Sequence, residues 1–312
     1  MEKDAKIYIA GHRGLVGSAL LRKLEREGYS NIIYRSSAEL DLRRQERVES
    51  FLKLARPEYV VLAAAKVGGI EANQRYSADF LYDNLMIQTN VIDSAYRNGV
   101  KKLLFMGSSC IYPKYARQPV KEEYLLSGKL ESTNEAYAIA KIAGLKMCQH
   151  YNQQYGTCFI AVMPSNLYGP GDNFDPDRSH VLPALLRKIH QAKVENQKEV
   201  VVWGSGTPRR EFLHVDDLAE ALLFLIKIGH SPQLVNIGVG KDITIRELAM
   251  MLKEIVGFKG GIVYDRTKPD GTPRKLLDIS RLKQLGWQAK ISLEQGIKQT
   301  YQSYLASSRV FK

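Results

Sequence analysis

The stretch KIYIAGHRGLVGSALLRKLEREG, residues 6–28, reads in three parts. Residues 6–10 form a short, largely apolar run of strand character, and residues 15–27 carry apolar positions at helical spacing. Between them stand Gly11, Gly14 and Gly17. Glycines there permit a tight turn and let the backbone approach a pyrophosphate at the helix N-terminus. A glycine trio alone would mark only a turn; its place at the first strand–helix junction points to a dinucleotide site.

Outward from that unit, strand-like runs at 31–34, 59–63, 102–106 and 159–163 alternate with helical patterns at 44–55, 78–98 and 135–155. The alternation predicts an α/β fold, a Rossmann-type doubly wound parallel sheet with helices on both faces. Past residue 164 it stops, in a loop at 165–179 rich in Asn, Gly, Pro and Asp, followed by a helix at about 183–193. A helix at 216–228 and a strand at 234–237 are expected to return to the main sheet. Thr244, with Glu247 three positions on, predicts a capped helix at 244–256. The expected division is a dinucleotide-binding domain of residues 1–168, with about 213–238 returning. A smaller C-terminal α/β substrate domain takes 169–212 and 239–312.

The chain has 312 residues, 45% of them apolar, and a formal charge of +12. That charge is scattered, with no basic run of five, so it argues for a phosphate-bearing small ligand rather than nucleic acid. No stretch of eighteen apolar residues occurs and the first residues lack a signal-peptide pattern, so no membrane partner and a cytoplasmic location are expected. Cys110, Cys148 and Cys158 have no metal-ligand spacing; no metal is expected and the thiols should be reduced.

At the end of the second strand, where an acid would accept from an NAD ribose, stand Tyr34, Arg35, Ser36 and Ser37. Arg35 and Arg13 suit a 2′-phosphate, which favours NADPH/NADP+ over NAD; the alternative for each is a solvated surface arginine. Tyr137 and Lys141 lie one helical turn apart on one face. A lysine ammonium at roughly 4 Å offers about the 4 kcal/mol needed to move a phenol pKa from about 10 towards 7. Such pairs also arise by chance; placement after Gly107-Ser108-Ser109, at the end of a predicted parallel strand, raises this one above that level.

Together these motifs resemble the extended short-chain dehydrogenases. Longer strings resemble the GDP-L-fucose synthases among them: AGHRG at 10–14, AAAKVGGI at 63–70, GSSCIYP at 107–113, SNLYGP at 165–170, VWGSG at 202–206, REFLHVDD at 210–217 and KPDGTPRK at 268–275. The resemblance covers nearly the whole chain. It implies an oxidoreductase with isomerase activity that inverts two carbons of GDP-4-keto-6-deoxy-D-mannose and reduces its ketone with NADPH, giving GDP-L-fucose.

Carried over residue by residue, Ser108, Tyr137 and Lys141 match the reductase triad, and Cys110 and His180 the base and acid of epimerisation. Cofactor contacts fall on Gly11, His12, Arg13, Gly14, Leu15, Val16, Gly17, Arg35, Ser36, Asp41, Met106, Gly107, Ser108, Lys141, Pro164, Ser165, Asn166, Leu167 and His180. GDP-sugar contacts fall on Lys188, Trp203, Arg210 and Asp270. A homodimer through the helices at 78–98 and 135–155 is also implied. Rival readings are a related reductase such as GDP-L-colitose synthase, an NAD-dependent sugar 4-epimerase, which Arg35 and Cys110 argue against, and a cofactor-sensing protein without catalysis. The alternative for Cys110, three residues past a strand end in a ligand-facing loop, is a packed thiol, and for His180 a surface histidine; Cys148 and Cys158 read as core.

Overall fold

A computed structural model describes residues 1–175, 179–229, 232–268 and 270–310. Pro176 to Arg178 of the 165–179 loop, His230 and Ser231, and Pro269 of the KPDGTPRK string lie outside the described residues.

The first part of the chain alternates as its periodicity predicts. It runs β1 (Ile7–Ala10), α1 (Leu15–Arg26), β2 (Ile32–Ile33), α2 (Gln45–Ala55), β3 (Tyr59–Leu62), α3 (Ile70–Arg75), α4 (Ser77–Arg97), β4 (Lys102–Met106), α5 (Glu135–Tyr155) and β5 (Phe159–Pro164). A short strand β6 (Asn166–Tyr168) and helix α6 (Val181–Val194) lead to β7 (Glu199–Trp203), β8 (Arg209–Arg210), β9 (Phe212–His214) and α7 (Val215–Lys227). Then follow β10 (Leu234–Ile237), β11 (Ile243–Thr244), α8 (Ile245–Val256), β12 (Gly261–Asp265), β13 (Arg274–Lys275), α9 (Ser280–Gln284) and α10 (Leu293–Val310).

Six strands form one parallel sheet in the order β10-β5-β4-β3-β1-β2. Alternate residues of each strand face opposite layers, the period-two signature of a sheet covered on both sides. Tyr8, Leu62, Leu103, Phe105 and Phe159 pack under the layer that includes α2, α4 and α5. Ile7, Ile9, Val61, Leu104 and Ile160 pack under α1 and α7. Fully burying a side chain of this size contributes about 1.5–3 kcal/mol.

From β1 the chain turns one way to β2 and, through α2, comes back to β3 on the other side. The crevice between β1 and β3, at their carboxyl ends, is therefore the switch point where such sheets take ligands.

A third core gathers α6, α8, β7 and α10, where Leu182, Leu186, Ile189, Val200, Val202, Leu248, Leu252 and Ile297 are buried, with Ile262 and Tyr264 of β12 packed against it. The predicted cap of α8 is present, with Glu247 N–H donating to Thr244 Oγ1 at 3.0 Å and Thr244 N–H to Glu247 Oε2 at 2.7 Å. Such a cap is worth about 1 kcal/mol. At the far edge of the main sheet, Asn236 of β10 is fully buried and donates from Nδ2 to the Val120 and Asp278 carbonyls. Lys102 is buried too, its ammonium donating to the Leu225, Ile226 and Ile228 carbonyls at the C-terminus of α7.

Candidate active site

The glycine turn is built by exclusion. Gly11 sits at φ +92°, and a Cβ there would lie 2.6 Å from the Ala64 nitrogen, in the crevice between β1 and β3. A Cβ at Gly17 would lie 2.2 Å from the Gly11 oxygen. Gly14 is exposed and caps α1, its N–H donating to the Gly11 carbonyl at 3.0 Å. The turn thus holds α1 with its N-terminus open to the crevice, the arrangement that receives a pyrophosphate. Leu15 and Val16 begin the helix and pack on the core behind it.

His12 stacks on Tyr34 with ring centroids 4.4 Å apart. Its Nδ1 is buried without a partner among the described residues, and burial, then Arg13, push its pKa down.

Arg13 and Arg35 are both exposed near this point. Arg35 donates to the Tyr34 carbonyl at 2.8 Å and lies 5.5 Å from the Phe51 ring centroid. Ser36 donates from both N–H and Oγ to Glu39, at 2.7 and 2.6 Å. Those bonds hold the Glu39 carboxyl below its usual range, with Arg35 and Arg13 adding to the effect. Glu39 is an acid the sequence reading did not consider here. Asp41 is held by Arg43 in a two-pronged ion pair, both contacts at 2.9 Å.

At the carboxyl ends of β4 and β5 the remaining cofactor candidates collect. Met106 ends β4, and Lys141 of α5 reaches its carbonyl at 2.8 Å. A Cβ at Gly107 would strike the Met163 side chain at 2.1 Å. Pro164 closes β5, and Ser165 N–H donates to the Ile237 carbonyl while its Oγ is buried without a partner among the described residues. Asn166 and Leu167 continue into β6, where Asn166 Nδ2 donates to the Glu211 carbonyl at 2.8 Å.

These features fit a bound dinucleotide: a turn whose Gly11 and Gly17 leave no room for a Cβ, and two buried polar atoms, His12 Nδ1 and Ser165 Oγ, without partners among the described residues.

Ser108 caps a single 3₁₀ turn, Ser109–Ile111, which turns Cys110 inward; the Cys110 N–H points to Ser108 Oγ at 3.4 Å. Cys110 is 8% exposed. Burial pushes its thiol up, opposed by the Ser108 hydroxyl, Lys275 and Lys141. The Lys141 ammonium lies 5.7 Å from the Tyr137 ring centroid, and burial lowers its pKa to about 8.

The phenol of Tyr137 departs from the sequence expectation: its pKa is raised, first by burial and then by Cys110. Lys141 spends its hydrogen bond on Met106 instead of the phenolic oxygen, and desolvation wins.

His180 is the N-cap residue of α6, exposed at the cleft; its surroundings and Lys275 push its imidazole down. Lys188, two helical turns further along α6, donates to the Val201 carbonyl of β7. Trp203, at the end of that strand, is 67% exposed with Lys268 5.4 Å from its ring centroid, so it is no core aromatic. Asp270 accepts from Ser205 N–H at 2.9 Å and Ser205 Oγ at 2.7 Å. Arg210 lies close enough to feel Asp270, and Gly271 stands where a Cβ would be 3.1 Å from its guanidinium.

Two groups of candidates result. Ser108, Cys110, Tyr137 and Lys141 surround one point at the sheet's carboxyl edge, while Trp203, Arg210 and Asp270 gather further out.

Lys275 ends the KPDGTPRK string at 268–275, where nothing in the sequence sets it apart from the other basic residues. On β13 it pairs in register with Arg210 and is an electrostatic neighbour of both Cys110 and His180. Only that pairing identifies it. Cys148 is buried as expected, whereas Cys158 is half-buried. Among the described residues no group of three His, Cys, Asp or Glu side chains could hold a metal ion, and no helix is long and apolar enough to cross a membrane.

Residues 7–238 match the model of the NAD dependent epimerase/dehydratase family. GDP-L-fucose synthase 1 of Arabidopsis thaliana is 62% identical over 97% of this chain and 94% of its own length. GDP-L-fucose synthase of Escherichia coli (strain K12) is 55% identical over 98% of each chain. The crystal structure of a GDP-L-fucose synthetase from Naegleria fowleri bound to NADP superposes with a TM-score of 0.91 at 30% identity, covering 99% of this chain and 96% of that one. By these matches, and by the glycine cradle and the Tyr137–Lys141 helix that accompany them, the chain belongs to the NAD dependent epimerase/dehydratase family, among its GDP-L-fucose synthases.

Proposed function

We propose that this enzyme converts GDP-4-keto-6-deoxy-D-mannose to GDP-L-fucose, inverting carbons 3 and 5 and then reducing carbon 4 with NADPH. The observation that carries the reading is the placement of Cys110, on the turn capped by Ser108, beside Lys141 and Tyr137 of α5, with Lys275 an electrostatic neighbour of both Cys110 and His180. A reductase alone needs the tyrosine and lysine. The thiol and imidazole add a proton acceptor and a proton donor for inversion.

The division of labour follows the two groups of residues. Residues 1–168, with 213–238, hold the nucleotide cofactor through the glycine turn, Arg13, Arg35, Ser36, the Met106–Ser108 segment and the Pro164–Leu167 segment. Residues 169–212 and 239–312 hold the GDP-sugar through Lys188, Trp203, Arg210 and Asp270. NADPH supplies hydride when bound. The arginines at the ribose end support NADPH over NADH, and a cytoplasmic homodimer completes the reading.

The ketone acidifies the protons on carbons 3 and 5. Cys110 removes such a proton as thiolate, and His180 returns one from the opposite face. Ser108 and Tyr137 donate to the enolate oxygen, the role of an oxyanion hole. A phenol kept protonated by burial suits this: it stays a donor through inversion and delivers its proton to the 4-oxygen during reduction. Inversion comes first, because reduction removes the carbonyl that acidifies both carbons.

The test is turnover of a panel of GDP-keto-sugars in deuterated water, with NADPH and with NADH. The expected product is GDP-L-fucose carrying deuterium at carbons 3 and 5, formed with NADPH in preference to NADH. Cys110→Ser should slow the exchange by about 10² or more while NADPH still binds. Turnover of a 3,6-dideoxy substrate in preference would place the chain with the GDP-L-colitose synthases. Binding of NADPH without turnover of any sugar would make it a cofactor sensor.

A further inference from the structure

Lys275 is a half-buried lysine whose neighbours leave its ammonium one task; burial pushes its pKa below the usual value, opposed first by Cys110. Strand alternation sends Arg274 to Asp242 and Lys275 to the opposite side, into a cavity that it lines together with Cys110, Glu131 and Asn166. No carboxylate among the described residues forms an ion pair with its ammonium. The acid nearest in effect, Glu131, is already held by Lys114 at 3.0 Å and by the N–H of Thr133.

The groups that face Cys110 are Ser108 from its own turn, Tyr137 and Lys141 from α5, and Lys275 from β13; Arg210 of β8 and Glu131 stand behind Lys275. Lys141 is committed to the Met106 carbonyl. Lys275 is not so committed, and it also faces His180.

We propose that Lys275 is a positioning residue for epimerisation, a cation that holds the Cys110 thiolate ready to take a proton from the sugar. The inference rests on the epimerase reading above. It explains how a thiol pushed up by burial could serve as a base, since each pH unit by which its ionisation falls changes the thiolate fraction about tenfold.

The test is the pH profile of Cys110 alkylation by iodoacetamide on the full-length protein, followed peptide by peptide by mass spectrometry. Neither sugar nor NADPH is present. In Lys275→Met the midpoint should rise by about one pH unit and the rate at pH 7 should fall about tenfold. Lys275→Arg, which keeps the charge, should stay within about threefold of the wild type.

Cys148, buried in the core, reports folding: if Lys275→Met exposes it to alkylation, Lys275→Gln takes its place. An unchanged Cys110 profile in the neutral variant overturns the proposal, as does an arginine variant that behaves like the methionine one. Either result leaves the epimerase and reductase reading standing if wild-type protein still places deuterium at both carbons. The shifted profile in an enzyme that exchanges no sugar proton would instead defeat that reading.

Discussion

The two halves of the cleft are made by different means. At the cofactor end, Gly11, Gly14 and Gly17 fall within seven consecutive residues, and what matters is the backbone they leave uncovered. At the end proposed to take the sugar, Cys110, His180, Arg210 and the Asp270–Lys275 stretch come from four separate segments and act through their side chains. Two of them, Arg210 and Lys275, meet only because β8 and β13 pair. The first end tolerates almost no change of shape, whereas the second can be altered one contact at a time.

Gly17→Ala should break the comparison most severely. A Cβ 2.2 Å from the Gly11 oxygen forces the turn or the helix to move, at a cost of about 3 kcal/mol. NADPH affinity should fall about a hundredfold, read by fluorescence titration, with a lower melting temperature. Wild-type affinity in this variant would show that the turn yields easily.

Asp172 tests the sugar-side loop. Burial raises its carboxyl to about 7, opposed by the Asn173 N–H, and its Oδ2 has no partner among the described residues. A carboxyl raised in the folded state binds its proton more tightly there than in the unfolded chain. Stability is therefore lost as pH climbs from about 4 to about 7. Asp172→Asn should relieve about 2 kcal/mol at pH 8 and change little at pH 4, measured by thermal melts at the two pH values. Equal effects at both pH values would place the carboxylate in a solvated setting.

The smallest effect is expected from Trp203→Ala. Loss of an exposed ring that can stack on a base should raise KM for the GDP-sugar about tenfold, with NADPH affinity within twofold of wild type. A matching loss of NADPH affinity would mean that the two ends of the cleft are not separable in this way.

The same contrast decides what could be read from the chain. The βαβ units were legible because their signals are local: four apolar residues in β1, a glycine turn, and Tyr137 and Lys141 one turn apart. Strands β7 and β12 were not, because β7 alternates buried and exposed residues in a two-stranded sheet, and its pairing with β12 joins residues about sixty positions apart. Among its described residues, helix α10 offers sparse apolar contacts, Leu293, Ile297, Tyr301 and Tyr304, to the third core. Lys275 looked like one more basic residue until β13 was set against β8. The raised pKa of the Tyr137 phenol is hidden for a related reason: the spacing that sets a lysine near it says nothing of the carbonyl that claims the ammonium, or of the burial around the ring.

The strand β10 carries a consequence for how the protein is made. The sheet's outer place beside β5 is taken by residues 234–237, after the chain has left to build α6, β7 and α7. On a ribosome, the first five strands emerge while β5 still has an open edge, a template for pairing with another chain. The buried Asn236, tied to Val120 and Asp278, then fastens that edge to segments made both early and late. Nascent chains stalled before residue 234 should therefore be the aggregation-prone species, and those extended past residue 278 should not.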